Sequence, residues 1–277
     1  MDREYSLRMM RKTGLAVTVF AALLALTGLT QLVLAGIAVS EEYERIERFE
    51  EATRQTTYYG YQAQQAALQN EYNRSSSAFF LEGRFLPDNE TMRWGSPAVL
   101  SLLAMGVAAT GFLVTAMLWV WRAHANMVAA GWRPKYGPRK AVAGYLVPLM
   151  NLVVPFEAMR ELYNRSEGGG DDFAHSSVDD VTAWWTVFLI GLLIFSVMVF
   201  KLMVDAATDL ILMTPLWMEY GMFAFGSVLI LGAAFLFSSL TRKITAAQDE
   251  YLPNFAEAAP VQESKRRMSV QVIGERT

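Results

Sequence analysis

The sequence predicts an all-α integral membrane protein, a helical bundle with four transmembrane helices, and two observations carry this prediction. Hydrophobic residues make up 53% of the 277-residue chain, above the about 45–50% of an ordinary soluble domain. These residues are also concentrated in four runs of more than 20 residues, 13–39, 97–121, 182–204 and 216–240. A helix of about 20 apolar residues crosses a hydrocarbon core of about 30 Å, so each run is long enough to be a span.

Tryptophan positions agree with these spans, because indole rings favour the boundary between lipid and water. Trp94 precedes the second run, Trp119 and Trp121 close it, Trp132 lies in the following loop, Trp184 and Trp185 open the third, and Trp217 opens the fourth. The first run is longer than the apolar part of a cleavable signal peptide, which has about 7–15 residues. It is therefore predicted to be a membrane anchor.

The distribution of charge predicts the orientation. Residues 1–12 and 122–140 are rich in Lys and Arg, whereas acids outnumber bases in 40–96, and basic loops stay in the cytoplasm. The predicted order is a cytoplasmic N-terminus (1–12), a first span (13–39), an extracytoplasmic and mostly helical loop (40–96), a second span (97–121), a cytoplasmic loop (122–181), a third span (182–204), a short outer loop (205–215), a fourth span (216–240) and a cytoplasmic tail (241–277) that is disordered after about residue 253.

The cytoplasmic loop contains an apolar stretch, 141–156, that does not fit a straight span. It has 16 residues, with Pro148, Asn151 and Pro155 inside it, and a helix of that length covers only about 24 Å. Each proline also removes a backbone donor and disturbs the preceding turn. We therefore predict that 141–164 is a re-entrant or interfacial hairpin on the cytoplasmic side, with the two prolines as hinges, and that its last part is a short amphipathic helix.

Polar residues near this hairpin are the candidates for a ligand site. On a helix, Arg122 and Asn126 share one face while His124 points elsewhere, and a hairpin that folds back would bring Asn151 towards them. Arginine suits a phosphate or carboxylate ligand, and histidine exchanges protons near neutral pH. The hypothesised ligand-binding residues are Arg122, His124, Asn126, Asn151, Arg160 and Glu161. The alternative is structural: cations at a helix end interact with the dipole and headgroups, and Arg160 and Glu161 form salt bridges with the basic loop.

This chain lacks the residues that several classes of enzyme chemistry require. There is no cysteine, which excludes thiolate catalysis and thiolate metal sites. The two histidines are not accompanied by a metal-binding carboxylate set, no GxSxG motif is present, and the three consecutive glycines at 168–170 open no phosphate-binding helix. A net charge of −3 does not favour binding to nucleic acid. We therefore expect no catalytic residues, no metal and no cofactor.

Two other regions carry alternatives. Residues 41–74 are predicted to continue the first helix outward, either as a stalk for a protein partner or as one arm of a helical hairpin with 63–85. Small residues at spacing four within the second span allow close helix contact, either within the chain or in a homo-oligomer. Gln31, inside the first span, is expected to form a hydrogen bond with a neighbouring helix.

A pattern of residues around the hairpin is shared with a known family. In this chain the pattern consists of Arg122, Ala123, His124 and Asn126, then Gly144, Pro148, Asn151, Leu152 and Pro155, then Glu161, Leu162 and Asn164. Over about 90–245 the chain resembles the bacterial membrane family called domain of unknown function 4328. The resemblance implies a multi-span protein of the bacterial inner membrane and lends no activity. Tyr163 stands where the family often has tryptophan.

Two hypotheses for function follow. The first is a non-enzymatic module that senses or scaffolds, and that binds anionic lipid or a protein partner at the cytoplasmic leaflet through 41–96 or 119–164. The second is a small-solute transporter or channel subunit, with a site at the broken helix. An enzyme acting on lipid is a third alternative, which the missing acid–base and nucleophile pairs do not favour.

Overall fold

The computed structural model describes residues 3–54, 97–169, 173–207 and 215–271. Within these ranges the regular structure is helical. The α-helices are α1 (Arg3–Arg54), α2 (Pro97–Ala129), α3 (Pro138–Leu146), α4 (Val154–Ser166), α5 (Asp179–Ala207) and α6 (Leu216–Gln271), and a 3-10 turn, Met150–Leu152, lies between α3 and α4. Most of the predicted outer loop, 55–96, and the centre of the short one, 208–214, lie outside the described residues.

Four of these helices are long and apolar enough to cross a membrane, which confirms the predicted fold class. The candidate spans are Tyr5–Ser40, Leu100–Ala129, Asp179–Lys201 and Trp217–Tyr251. Neither α3 nor α4 is among them, because α3 has 9 residues and α4 has 13. The stretch that could have been a fifth span is instead two short helices joined by a turn.

Three helices extend well beyond the predicted spans. Helix α1 continues to Arg54, and α2 continues to Ala129 and so carries Arg122, His124 and Asn126. Helix α6 runs to Gln271, whereas the sequence predicted disorder after about residue 253. The residues outside the apolar runs include many good helix formers such as Ala, Glu, Gln and Arg, so polarity alone does not end a helix there.

Helix α2 ends at a glycine. Gly131 has φ +97°, and its N–H donates to the Val128 carbonyl at 3.0 Å. The Trp132 N–H donates to the Met127 carbonyl at 3.1 Å. This pair of bonds is a Schellman motif, which satisfies the last carbonyls of a helix and needs a left-handed residue. It ends α2 just before the hairpin.

The chain divides into two compact units. The first comprises the residues up to Ala22, Ala109–Thr186 and those from Ala233 onward. Its interior holds an aromatic cluster in which the ring of Phe237 lies 6.0 Å from that of Trp119 and 5.5 Å from that of Trp184. Trp119 is fully buried, and its indole N–H donates to Thr245 at 3.0 Å. This tryptophan is therefore held by protein, whereas its position in the sequence suggested a headgroup contact.

The second unit comprises Leu23–Ala108 and Val187–Gly232. Its polar contacts connect neighbouring helices: Gln31 donates to Ser101 at 2.5 Å, and Lys201 forms an ion pair with Glu219 at 2.9 Å. The first contact confirms the helix-to-helix hydrogen bond expected of Gln31. Both are explained by packing within this unit.

Candidate functional site

The hairpin is broken where its two prolines stand. Val147, just before Pro148, is extended, with φ −93° and ψ 118°, and α3 ends there, since a residue that precedes proline avoids the helical region. Pro155 lies in the first turn of α4, where its missing N–H costs no helical hydrogen bond. The two helices also approach closely, because a Cβ atom at Gly144 would lie 2.6 Å from Cγ1 of Val154.

A buried ion pair fixes the base of the hairpin to the loop before it. The carboxylate of Glu161 accepts a hydrogen bond from Nε of Arg165 at 2.9 Å, and both side chains are buried. The same carboxylate accepts the backbone N–H of Lys135 at 2.9 and 3.1 Å. The Arg165 guanidinium lies over the ring of Trp132, 4.9 Å from its centroid. Glu161, a predicted ligand-binding residue, therefore has its charge neutralised within the protein.

A second contact reinforces this base at the surface. The carboxylate of Glu157 accepts hydrogen bonds from Lys135 Nζ at 2.7 Å and from the Tyr136 hydroxyl at 2.8 Å. These bonds lower the pKa of Glu157, and the bond to Glu157 raises the pKa of Lys135. Both side chains are partly exposed, so the ion pair adds little to stability.

Asn126 belongs to a buried polar network. Its amide NH₂ donates to Met10 Sδ at 3.3 Å and to Gln248 Oε1 at 3.4 Å, and its oxygen accepts from Ser6. The Gln248 amide then donates to the Ala123 carbonyl at 3.2 Å and to Ser166 Oγ at 3.1 Å. The network joins α1, α2, α4 and α6, and each amide atom in it has a partner. Because no amide donor or acceptor is left over, the network is suited to holding helices together.

His124 faces a different neighbour. Its ring is buried, and Nδ1 lies 2.9 Å from the Val120 carbonyl, one turn earlier on α2. A carbonyl only accepts, so this hydrogen bond forms when Nδ1 carries a proton. Across from it lie Ala158 and Glu161 of α4. His124 thus faces α4 while Asn126 faces α1 and α6, as the spacing predicted.

The three remaining candidate residues, Arg122, Asn151 and Arg160, are half-exposed. In the described part of the chain, the side chains of Arg122 and Asn151 form no hydrogen bond or ion pair. The Arg160 guanidinium lies over the Phe156 ring at 5.2 Å, and its Nε is buried without a hydrogen-bond partner. No hydrogen bond or ion pair between described residues connects these three to His124, Asn126 or Glu161. Their role in ligand binding stays a prediction.

Several residues of this region were not singled out from the sequence. Arg165 had a readable signal, because it lies four residues after Glu161 and an i, i+4 pair shares one helix face. Gln248 and Ser6 had none, because only the fold brings the two ends of the chain to Asn126. Asn164 also has a structural contact, donating to the carbonyls of Ala174 and Ser176 at 3.2 and 3.0 Å.

The surface beside the hairpin is positively charged. The side chains of Arg133, Arg139 and Lys140 are exposed and form no ion pair with any described residue. The acids nearest in sequence, Glu157 and Glu161, are occupied by the contacts given above. Among the described residues, no group of histidine and carboxylate side chains is arranged to hold a metal ion.

Four apolar helices and a hairpin tied to them define a multi-pass membrane protein. Residues 94–246 match the family model named domain of unknown function, DUF4328. The match covers more than half of the chain, and the chain therefore belongs to this family. The matched range agrees with that of the resemblance found in the sequence. Neither the curated proteins nor the solved structures give a match to the chain.

Proposed function

We propose that this protein is a non-enzymatic scaffolding module of the bacterial inner membrane, and that it binds anionic lipid headgroups at the cytoplasmic leaflet. The binding surface is the basic face, defined as Arg133, Arg139 and Lys140. The observation that carries the proposal is that these three cations are exposed and form no ion pair with any described residue, beside a hairpin with no charged residue between 141 and 156.

The sign of the local charge supports an anionic ligand. Residues 122–156 contain no Asp or Glu, and Glu157 and Glu161 are used in contacts with Lys135 and Arg165. The acids nearest to the basic face in sequence therefore form no ion pair with it. Near an anionic membrane surface each Lys or Arg contributes about 1 kcal/mol of attraction. Three such residues provide a binding energy that a lipid headgroup or an acidic partner segment can use.

The rigidity of the hairpin base supports a scaffold. The Glu161 carboxylate fixes the loop through Lys135, and Gln248 fixes the end of α4 through Ser166. A surface held in this way loses little conformational freedom on binding. His124 and Asn126, the candidates for proton transfer or ligand recognition, are engaged in the packing beneath it, which is why we propose binding without catalysis.

A small-solute transporter or channel subunit is the second candidate. Asn151 lies at the break between α3 and α4, and its half-exposed side chain has no partner among the described residues. Polar groups at broken helices line substrate paths in transporters. Flux through liposomes, reduced by Asn151→Ala without loss of folding, would favour this candidate over the scaffold.

Lipid retained through purification tests the first candidate. The full-length protein is expected to carry phosphatidylglycerol out of a mixed membrane in preference to phosphatidylcholine. Arg139→Gln with Lys140→Gln is expected to reduce that preference by up to about 30-fold, which corresponds to about 1 kcal/mol for each of the two charges. The matched control is Arg8→Gln with Lys12→Gln, which removes two exposed cations of α1. If both double variants retain the same lipids as the parent protein, the basic face does not bind headgroups.

A further inference from the structure

We infer that the hairpin tip, defined as residues 146–153, inserts among the acyl chains of one leaflet as a short wedge. This inference rests on the proposed function, since it uses the placement of the hairpin at the cytoplasmic leaflet. It goes beyond that function because it concerns the hydrocarbon layer and not the headgroups. The exposed surface of the tip therefore contacts lipid acyl chains.

The tip exposes large apolar side chains. Leu149 is 83% exposed, the highest value among the large hydrophobic residues described as exposed, and Leu146 is 64% exposed. Val147, Met150, Leu152 and Val153 are exposed as well. The span residues Leu15 and Val107 show similar fractions, 68% and 69%. An apolar patch of this kind marks a surface that meets a partner or a membrane.

The charge pattern around the tip favours a membrane over a protein partner as the occupant of this apolar patch. Residues 141–156 contain no Lys, Arg, Asp or Glu, while Arg139 and Lys140 precede the stretch and Glu157 follows it. Charged residues at both ends of an apolar stretch correspond to headgroup regions that flank a hydrocarbon layer. Helix α3 has 9 residues and is about 13 Å long, which is less than half of the about 30 Å core. The tip therefore has the reach of one leaflet and does not cross.

Most N–H groups of the tip backbone are bonded internally, and among the described residues only those of Leu149 and Met150 have no acceptor. Pro148 has no N–H to bury. The N–H groups of Val147, Asn151, Leu152 and Val153 donate to carbonyls of residues 143–150 at 2.8 to 3.4 Å. Backbone groups enter hydrocarbon only when they are bonded internally. Asn151 is half-exposed, and its amide is the polar side chain at the tip that limits the depth to the upper acyl region.

Spin labels test the insertion directly, and the absence of cysteine makes single-cysteine variants simple to interpret. A nitroxide on Leu149→Cys, in the full-length protein in phosphatidylcholine vesicles, is expected to collide with oxygen, which concentrates in the bilayer, more often than with a water-soluble nickel chelate. The control is Phe173→Cys, an exposed aromatic residue, 66% exposed, in the loop between α4 and α5. It is expected to prefer the nickel chelate.

Other outcomes overturn the inference. If the Leu149 label meets the nickel chelate as readily as the Phe173 label, the tip lies in water. If it is shielded from both reagents, a protein or a second copy of the chain covers it. Because these vesicles contain only a zwitterionic lipid, the result does not depend on headgroup charge. The headgroup proposal can therefore fail while the insertion stands, and the reverse also holds.

Discussion

The side-chain amide of Asn126 donates to Oε1 of Gln248 at 3.4 Å, and so joins the end of α2 to the extension of α6. The two residues are 122 positions apart in the chain and both are buried. The amide of Gln248 continues the contact to Ser166 of α4. The hairpin is therefore attached to the bundle through this pair as well as through its own base.

Replacing Gln248 is expected to destabilise the protein. Gln248→Leu removes both the donor to Ser166 and the acceptor of Asn126, and buried polar groups left unpaired cost about 1–3 kcal/mol each. We expect a lower thermal unfolding midpoint in detergent. Arg242→Leu, at an exposed position of the same helix, is the control. An unchanged midpoint for Gln248→Leu would contradict a structural role for the network.

The pair Glu161–Arg165 is expected to show strong coupling. Arg165→Met leaves the Glu161 carboxylate buried with only the Lys135 N–H, and loss of one partner of a buried pair costs about 3–5 kcal/mol. Adding Glu161→Gln is expected to recover part of that loss, measured as free energy of unfolding in a double-mutant cycle. Lys135→Met, at the exposed pair with Glu157, should cost less than about 1 kcal/mol. Equal losses for Arg165→Met and Lys135→Met would contradict the assigned roles.

The Glu157 contact is expected to make the stability of the protein depend on pH in the acidic range. Because hydrogen bonds from Lys135 and Tyr136 lower the pKa of Glu157, its contribution is present above the pKa of an unfolded glutamate, about 4.3. It is lost as pH falls through the lower pKa of the folded state. Thermal unfolding in detergent across this range should therefore show a smaller pH slope in Glu157→Gln than in the parent protein. Identical slopes would show that the contact does not form.

Gly144 is expected to resist substitution by larger residues. Gly144→Val places side-chain atoms where Val154 lies, and overpacking of this kind costs about 1–3 kcal/mol. The readout is the thermal unfolding midpoint together with the spin-label collision ratio at Leu149. The control is Gly137→Ala, since no heavy atom lies within 4 Å of a Cβ there. Similar behaviour of the two variants would mean that α3 and α4 do not need close contact.

The sequence predicted the four spans and the broken hairpin because both depend on local information. Apolar runs of sufficient length define the spans, and Pro148 and Pro155 interrupt the chain whatever surrounds them. It predicted less about helix ends: α2 runs to Ala129, just before the left-handed Gly131, but the polarity that begins at Arg122 had suggested an earlier boundary. Helix α6 continues through Pro253 and Pro260 to Gln271, where composition had suggested disorder.

The candidate site could be predicted only in part. That His124 and Asn126 point in different directions follows from helical spacing, and the structure shows the neighbours of each. That Asn126 meets Ser6 and Gln248 required the fold, because nothing near Asn126 in sequence indicates which distant polar residue will reach it. The basic face was readable from the absence of acids in 122–156, whereas the pairing of Glu157 with Lys135 was not.

The central claim is that the basic face binds anionic lipid headgroups, and crosslinking tests it most directly. Full-length protein in vesicles that contain a photoactivatable phosphatidylglycerol is expected to be labelled within residues 133–153 more than with the matching phosphatidylcholine probe. Arg139→Gln with Lys140→Gln should remove that excess, and Arg8→Gln with Lys12→Gln should leave it. Equal labelling by the two probes in this segment, or an excess that the hairpin variant retains, would contradict the account.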